Sequence, residues 1–327
     1  MSIVFDARWA GPHGIGRFAA EVRKRLRGPV ADITGAHPVS ARGLVESELL
    51  PHRFAGRGYT YFSPGYTPCL SWGGPHAFTV HDLIHLDVPA ESSAIKTGYY
   101  DKVVKRAVRR EGAVLTVSNF SRHRIAGWAG VDPEKLTVVG NGVDDSFTPD
   151  GPRMQGPWPY LLHVGNTKPH KNLTRVLQAL KGVPDLHLVC SSAPDQDLIN
   201  LARRLGCDDR LHFRSGIPEA DLPAFYRGAE AVVIASLYEG FGLPALEGMA
   251  SGVPVVASDT TAVAEVVGDA AVTVDPNDVD TIRAGIETAV ADDAVRARLR
   301  VAGPQRATRF SWDRVGQSVV AALEAAA

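Results

Sequence analysis

AVVIASLYEGFGLPALEGMASGVPVVAS, residues 231–258, contains three kinds of segment in succession. AVVIA (231–235) and VPVVA (253–257) are apolar on consecutive positions, as a parallel strand covered on both faces has to be. Between them Pro244 suits the first turn of a helix, where its missing N–H costs nothing, and Gly252 suits the stop. Strand, turn, helix and strand together are the unit of a parallel α/β sheet.

The same alternation runs outward from this stretch. YLLHV (160–164), LHLVC (186–190), RLHF (210–213) and AVTV (271–274) are further short apolar runs, and NLTRVLQAL, DQDLINLARRL, PEADLPAFYRGA and TAVAEVVG are helical patterns between them. Toward the N-terminus, SIVFD, YTYF, AFTV, VLTV and LTVV read as strands, with helices near residues 15–27, 94–110 and 119–128. A chain of 327 residues exceeds one ordinary core. PDGPRMQGPWP (149–159) continues neither period and reads as a linker. The expectation is α/β with two Rossmann-like, doubly wound domains, 1–150 and 151–308, followed by a helix in 309–327, where Ser311 is an N-cap candidate.

Composition narrows the class. Apolar residues make up 45% and charged residues 22%, which fits a soluble enzyme and neither a disordered nor a fibrous chain. A net charge of −1 gives no reason to expect nucleic acid as a partner. Cys69, Cys190 and Cys207 are far apart and form no C-x-x-C pair, so neither a disulfide framework nor a zinc site is expected. With no leader pattern and no run of ~20 apolar residues, the expected compartment is the reducing cytoplasm.

Open parallel sheets bind ligands beyond the carboxyl ends of their strands, and two such sheets face to face would make a cleft. EGFGLP is a turn at such an end. It puts Glu239 at the floor and Glu247 about one turn into the helix, with amides around Gly242, Leu243 and Ala245 as an anion site. Two acids flanking a bound anion fit a nucleotide sugar, whose hydroxyls donate well to carboxylates. The competing reading is a loop acid and a solvated helix residue.

HVGNTKPHKN (163–172) brings Lys168, His170 and Lys171 to another strand end, where a lysine can neutralise a diphosphate; the ATPase loop spacing is absent. AGPHGIGRF (10–18) has G-x-x-G-x-G in place of the dinucleotide order, so a dehydrogenase is not indicated. That loop either admits a phosphate or acceptor, with Arg17 as an added cation, or packs as a tight turn. TVHDLIH (79–85) sets His81 and Asp82 at a strand end, positioned for a reacting sugar or held structurally. With His85 they lack a further strand-end ligand, so no metal is expected.

SLYEGFGLPALEGMASGVPVVASD resembles the E-x7-E signature of family 4 glycosyltransferases of GT-B fold. The glycine loop with Arg17, VHD, VSNFSR (117–122), VVGNGVD (138–144), HVGNTKPHKN and VVGDAAVTVDP (266–276) resemble the family too, over nearly the whole chain. The resemblance implies retaining transfer of a hexose from a nucleoside diphosphate sugar, without metal or other cofactor. By it, Glu239 would contact the donor sugar, Glu247 the ribose, Lys171 the diphosphate, and His81 the donor sugar near the acceptor. Gly16, Arg17, Gly165, Asn166, Gly240, Phe241, Gly242 and Leu243 would complete the donor site, and the last helix would return to the first domain.

One position departs from the pattern. Many relatives carry an arginine where this chain has Asn166; either Arg17, the first choice, or Lys168 compensates, or the phosphate grip is weaker. The motifs are most similar to mannosyltransferases of surface polysaccharide assembly, which implies GDP-mannose ahead of a UDP-sugar and a glycan or lipid-linked acceptor. KTGYYDKVVKRAVRREGA (96–113) places Lys102, Lys105, Arg106, Arg109 and Arg110 on one helix, and RKRLR (23–27) adds more. Such a basic helix either contacts an anionic leaflet at the cytoplasmic face or is a solvated surface. The alternatives in function are an epimerase or hydrolase of the same fold and a non-catalytic nucleotide-sugar binder.

Overall fold

A computed structural model describes every residue except Pro12 and Glu111. Pro12 of the glycine loop and Glu111 of the basic segment therefore lie outside the described residues. The chain divides into two units, Met1–Gly142 with Trp312–Ala327, and Val143–Ser311.

The first unit is a parallel sheet of β1 (Ser2–Asp6), β2 (Val30–Ile33), β3 (Tyr59–Ser63), β4 (His76–Thr79), β5 (Ala113–Thr116) and β6 (Leu136–Val138) in the order β2-β1-β3-β4-β5-β6. Phe62, Phe78 and Leu115 are fully enclosed on it. The last helix, Trp312–Ala326, lays Trp312, Val315, Val319 and Leu323 into this same core. Neither β2 nor the helix Ala41–Leu49 stands out in the sequence. β2 is a half-buried edge strand interrupted by Asp32, and that helix leaves Val45 and Leu49 exposed, so neither has a clean apolar period.

The second unit is a parallel sheet of β7 (Tyr160–His163), β8 (His187–Cys190), β9 (Leu211–Phe213), β10 (Ala231–Ile234), β11 (Val255–Ser258) and β12 (Val272–Val274), ordered β12-β11-β10-β7-β8-β9. Val232 stands opposite Leu162 on one side and Val255 on the other, and every residue of β10 is buried, which is why AVVIA has no polar face. From β7 the chain winds outward to β9, then returns to the other side of β7 as β10. The two loops leaving β7 and β10 therefore diverge and open a crevice at the strands' carboxyl ends. In the first unit the same reversal lies between β1 and β3.

The division falls at Gly142 rather than at residue 150, and at Ser311 rather than 308. Val143 bridges Ser311 in parallel, and the Arg227 guanidinium donates to the carbonyls of Ser146, Thr148 and Pro152 at 3.5, 3.2 and 2.7 Å. These bonds fasten the segment after Val143 to the second unit.

The basic segment is helical over residues 94–109, as expected. Ala94–Tyr99 and Lys105–Arg109 are α-helical, but Tyr100–Val104 between them is a π turn and Arg110 lies past the end. Lys105 sits over the Trp128 ring at 5.3 Å, Arg109 donates to the Ala129 carbonyl at 2.7 Å, and Arg110 donates to the carbonyls of Leu70 and Trp72. Three of the five cations thus hold the unit's own structure, leaving Lys102 and Arg106 outward. Among the described residues no helix is long and apolar enough to cross a membrane.

Candidate active site

The loops after β7 and β10 carry the second unit's polar cluster. Lys171 Nζ lies 2.6 Å from Glu239 Oε1, with side chains only 14% and 12% exposed. Ser236, directly beyond β10, donates to the same Oε1 at 2.8 Å. Burial pushes the Glu239 carboxyl upward, but the charge and hydrogen bond of Lys171, with Ser236, bring it below the usual carboxylate range. Glu239 is therefore a carboxylate, with Oε2 carrying no bond among the described residues, and Lys171 keeps two N–H groups beyond the one it gives to Glu239.

Under this pair lies His163 at the end of β7, between the carbonyls of Val233 and Asn166. Burial and the Lys171 charge lower its pKa to about 4, so it stays neutral beside the lysine. Gly165 donates its N–H to Ser191 Oγ at 3.1 Å. Asn166 is exposed, and its Oδ1 accepts from the Lys168 N–H at 3.2 Å. Lys168 is exposed as well, while His170 is buried and accepts the Leu237 N–H on its carbonyl at 2.7 Å.

Asn172 sets the position of this loop. It adopts a left-handed φ of 61°, which asparagine tolerates, and its buried Nδ2 donates to the carbonyls of Ala235 at 2.8 Å and Pro276 at 2.6 Å. One side chain so ties the Lys171 loop to the ends of β10 and β12. Asn172→Ala is expected to destabilise the chain by about 2 kcal/mol or more, because two buried carbonyls lose their donor. A urea midpoint equal to that of the unaltered chain would remove this role.

Gly242 is the hinge of the acidic turn. Its φ is +99°, and a Cβ there would stand 2.9 Å from Val263 Cγ2, so the turn into the helix Leu243–Ala250 needs glycine. The Gly242 and Leu243 amides carry no hydrogen bond among the described residues. Ala245, expected to belong to this anion site, does not: its N–H donates to the Gly242 carbonyl at 3.0 Å, an i−3 bond tightening the first turn. Phe241 packs edge-on against Phe310 with ring centres 5.8 Å apart, and Gly240 is buried beside it.

Glu247 is neither solvated nor at the helix surface. It is 3% exposed, and the Tyr226 hydroxyl donates to its Oε2 at 2.6 Å. Tyr226 is fully buried on the helix Leu222–Gly228 and carries no signal in the sequence beyond that of a core aromatic. Glu247 is therefore not the solvated acid of the competing reading, while Glu239 is a loop acid as that reading has it, but one held by Lys171 and Ser236.

In the first unit, His13 accepts the Gly16 N–H on Nδ1 at 3.0 Å and caps the helix Gly14–Arg25. A Cβ at Gly16 would stand 2.1 Å from the Gly11 carbonyl oxygen, so the loop closes only around glycine. Arg17, one residue on, is half-buried. In the same unit Asp6 and Arg8 form a buried two-pronged ion pair at 2.6 and 2.7 Å that also grips Ser47.

His81 follows β4 and donates Nε2–H to the Pro64 carbonyl at 2.9 Å, with Phe18 edge-on to its ring at 5.0 Å. Burial takes its pKa down to about 4. It is a neutral imidazole whose Nδ1 is an acceptor. Asp82 turns to the Tyr66 hydroxyl at 3.0 Å, and His85 to the Glu91 carbonyl at 3.1 Å, so the three do not converge.

Residues 151–306 match the family Glycosyl transferases group 1, and residues 41–147 match Glycosyltransferase Family 4. An MMP alpha-(1->4)-mannosyltransferase of Mycolicibacterium hassiacum is 34% identical over 80% of this chain and 68% of that protein. The chain belongs to glycosyltransferase family 4. The O-antigen chain mannosyltransferase B of Escherichia coli is 32% identical over 72% of this chain and 66% of its own length. The chain thus spans about two thirds of the length of these two relatives. Anabaena HepE, solved in complex with UDP and glucose, superposes with a TM-score of 0.78 at 18% identity, covering 99% of this chain and 100% of that one. The two six-stranded parallel sheets are those of the GT-B fold.

Proposed function

We propose that the protein is a retaining, metal-independent hexosyltransferase that moves a sugar, mannose first, from a nucleoside diphosphate donor to a glycan or lipid-linked acceptor. The observation that carries this reading is the Lys171–Glu239 pair at the crevice between β7 and β10, beside the unbonded amides of Gly242 and Leu243. As the bond from the sugar to the diphosphate lengthens, negative charge grows on the leaving oxygen. The two spare N–H groups of Lys171 and the amides at the helix start are fixed donors for that charge. Glu239 Oε2 takes a sugar hydroxyl, Glu247 the ribose, and His81 Nδ1 accepts from a hydroxyl of the transferred sugar. The mannosyltransferase relatives support mannose, and the UDP and glucose bound to HepE support a nucleotide sugar as donor.

Thermal-shift titration with GDP, UDP, ADP and TDP and their sugar conjugates, with and without EDTA, tests this. Selective stabilisation by one nucleotide, unchanged by EDTA, is the expected result. Stabilisation by a divalent metal with no response to any nucleotide would overturn it.

Binding and chemistry separate in the variants. Glu247→Ala is expected to raise the donor KM about 10-fold to 100-fold with a smaller change in kcat, because a ribose contact is kept in ground and transition states alike. Tyr226→Phe, which only loosens Glu247, should raise KM less and leave kcat near its starting value; an equal loss in kcat would contradict the assignment. Arg17 is the proposed substitute for the arginine missing at Asn166. Arg17→Ala should weaken donor binding about tenfold, and unchanged donor affinity and turnover would exclude it.

A further inference from the structure

At the amino ends of β10 and β11, the opposite edge of the sheet from Lys171 and Glu239, lies a cavity of about 110 Å3 lined by Pro149, Arg153, Arg227, Ser251, Gly252, Arg300 and three apolar neighbours, with no acid among them. A wider space of about 440 Å3 adjoins it and shares Arg153, Arg227 and Arg300. The one acid of that second space, Glu230, pairs with Arg296 at 3.4 Å.

Arg227 is only 8% exposed, and an arginine stays charged in any protein environment. Its Nε and Nη1 donate to backbone carbonyls, which supply dipoles but no countercharge, and no carboxylate lies within ion-pair distance among the described residues. Nη2 has no hydrogen bond there. Arg153 and Arg300 have neither an acid nor a hydrogen-bond partner among the described residues. Ser251, 3% exposed on the same wall, has an Oγ with no partner.

The helix Leu243–Ala250 ends at this wall, and a helix carboxyl end attracts cations. The carbonyls of Glu247, Met249 and Gly248 are already satisfied, however, by the N–H groups of Ser251, Gly252 and Val253. A buried guanidinium without a countercharge, facing two more arginines and an unbonded hydroxyl, is a costly arrangement that an anion would relieve.

We propose that this cavity binds a phosphate group, free or carried by a small phosphorylated molecule, at a site separate from the donor crevice. Forked guanidinium donors match the oxygens of phosphate, the small compartment takes the phosphate, and the wider one leaves room for an organic remainder.

The test is thermal-shift and calorimetric titration of the full chain with inorganic phosphate and with glucose 6-phosphate, against sodium chloride of equal ionic strength. It is run on the unaltered chain, on Lys171→Ala and on the Arg153→Gln/Arg300→Gln double variant, whose two positions are exposed. Saturable binding is expected in the first two, and a dissociation constant raised about 100-fold in the double variant, roughly tenfold per arginine. Tighter binding of glucose 6-phosphate than of phosphate assigns a phosphorylated molecule, and equal binding assigns the free ion. Unchanged affinity in Arg153→Gln/Arg300→Gln, loss of binding in Lys171→Ala alone, or the same shift with chloride would overturn the proposal.

Discussion

Replacing Lys171 by alanine is expected to lower kcat by about 10²-fold to 10³-fold, the usual effect of removing one fixed donor from a developing negative charge. The donor KM should change less, because most of the nucleotide's contacts remain. The same substitution strands Glu239, whose carboxylate is 12% exposed and loses its one ion pair among the described residues. A cost of about 3 kcal/mol in folding stability is expected from that orphaned charge. The two effects can be separated. In Lys171→Ala/Glu239→Gln the charge is gone, so urea stability should recover most of the loss while kcat stays low. If turnover recovers with stability, Lys171 acts only as a structural partner of Glu239.

Acid should destabilise the chain well above the pH at which carboxylates titrate. His81 and His163 take up protons near pH 6.5 when unfolded but only at about 4 when folded, because both rings are buried. Between those values the unfolded chain binds more protons, so their contribution is complete above pH 6.5 and is lost as pH falls toward 4. By pH 5 each should cost about 2 kcal/mol. Urea midpoints measured from pH 7.5 to 4.5 check this, and a flat profile between pH 7 and 5 would contradict the burial of both rings. The Glu239 carboxylate has the opposite chemistry but the same sign: its depressed pKa adds a further loss at lower pH.

What the sequence made legible follows from burial. β7, β8, β10 and β11 are covered on both faces, so their composition alone marks them, and the acidic turn lies where Pro244 and Gly252 bracket a helix. β2 and the helix Ala41–Leu49 were hidden because they are edge elements with mixed faces. At the site, Glu239 and Lys171 could be named separately, but their 2.6 Å contact depends on β10 lying beside β7, a pairing between segments 68 residues apart. Tyr226 was hidden for a related reason: an aromatic in a helix reads as core, and its hydroxyl acquires meaning only from Glu247 across the helix pair. Which cations of residues 102–110 hold the unit's own structure was not legible, since charge in a sequence does not reveal which carbonyl or ring will hold it.

The helix Trp312–Ala326 supplies part of the first unit's core, and this fixes the order in which the molecule can be completed on the ribosome. All of Val143–Ser311 has been synthesised before Trp312, Val315 and Val319 exist, so the second unit can close while the first still lacks a wall. The nascent first unit must therefore wait with the apolar surface of Phe18, Val22 and Leu115 uncovered. A chain interrupted just after Ser311 would carry a finished second unit joined to one that cannot bury its centre, with aggregation through that open face as the consequence.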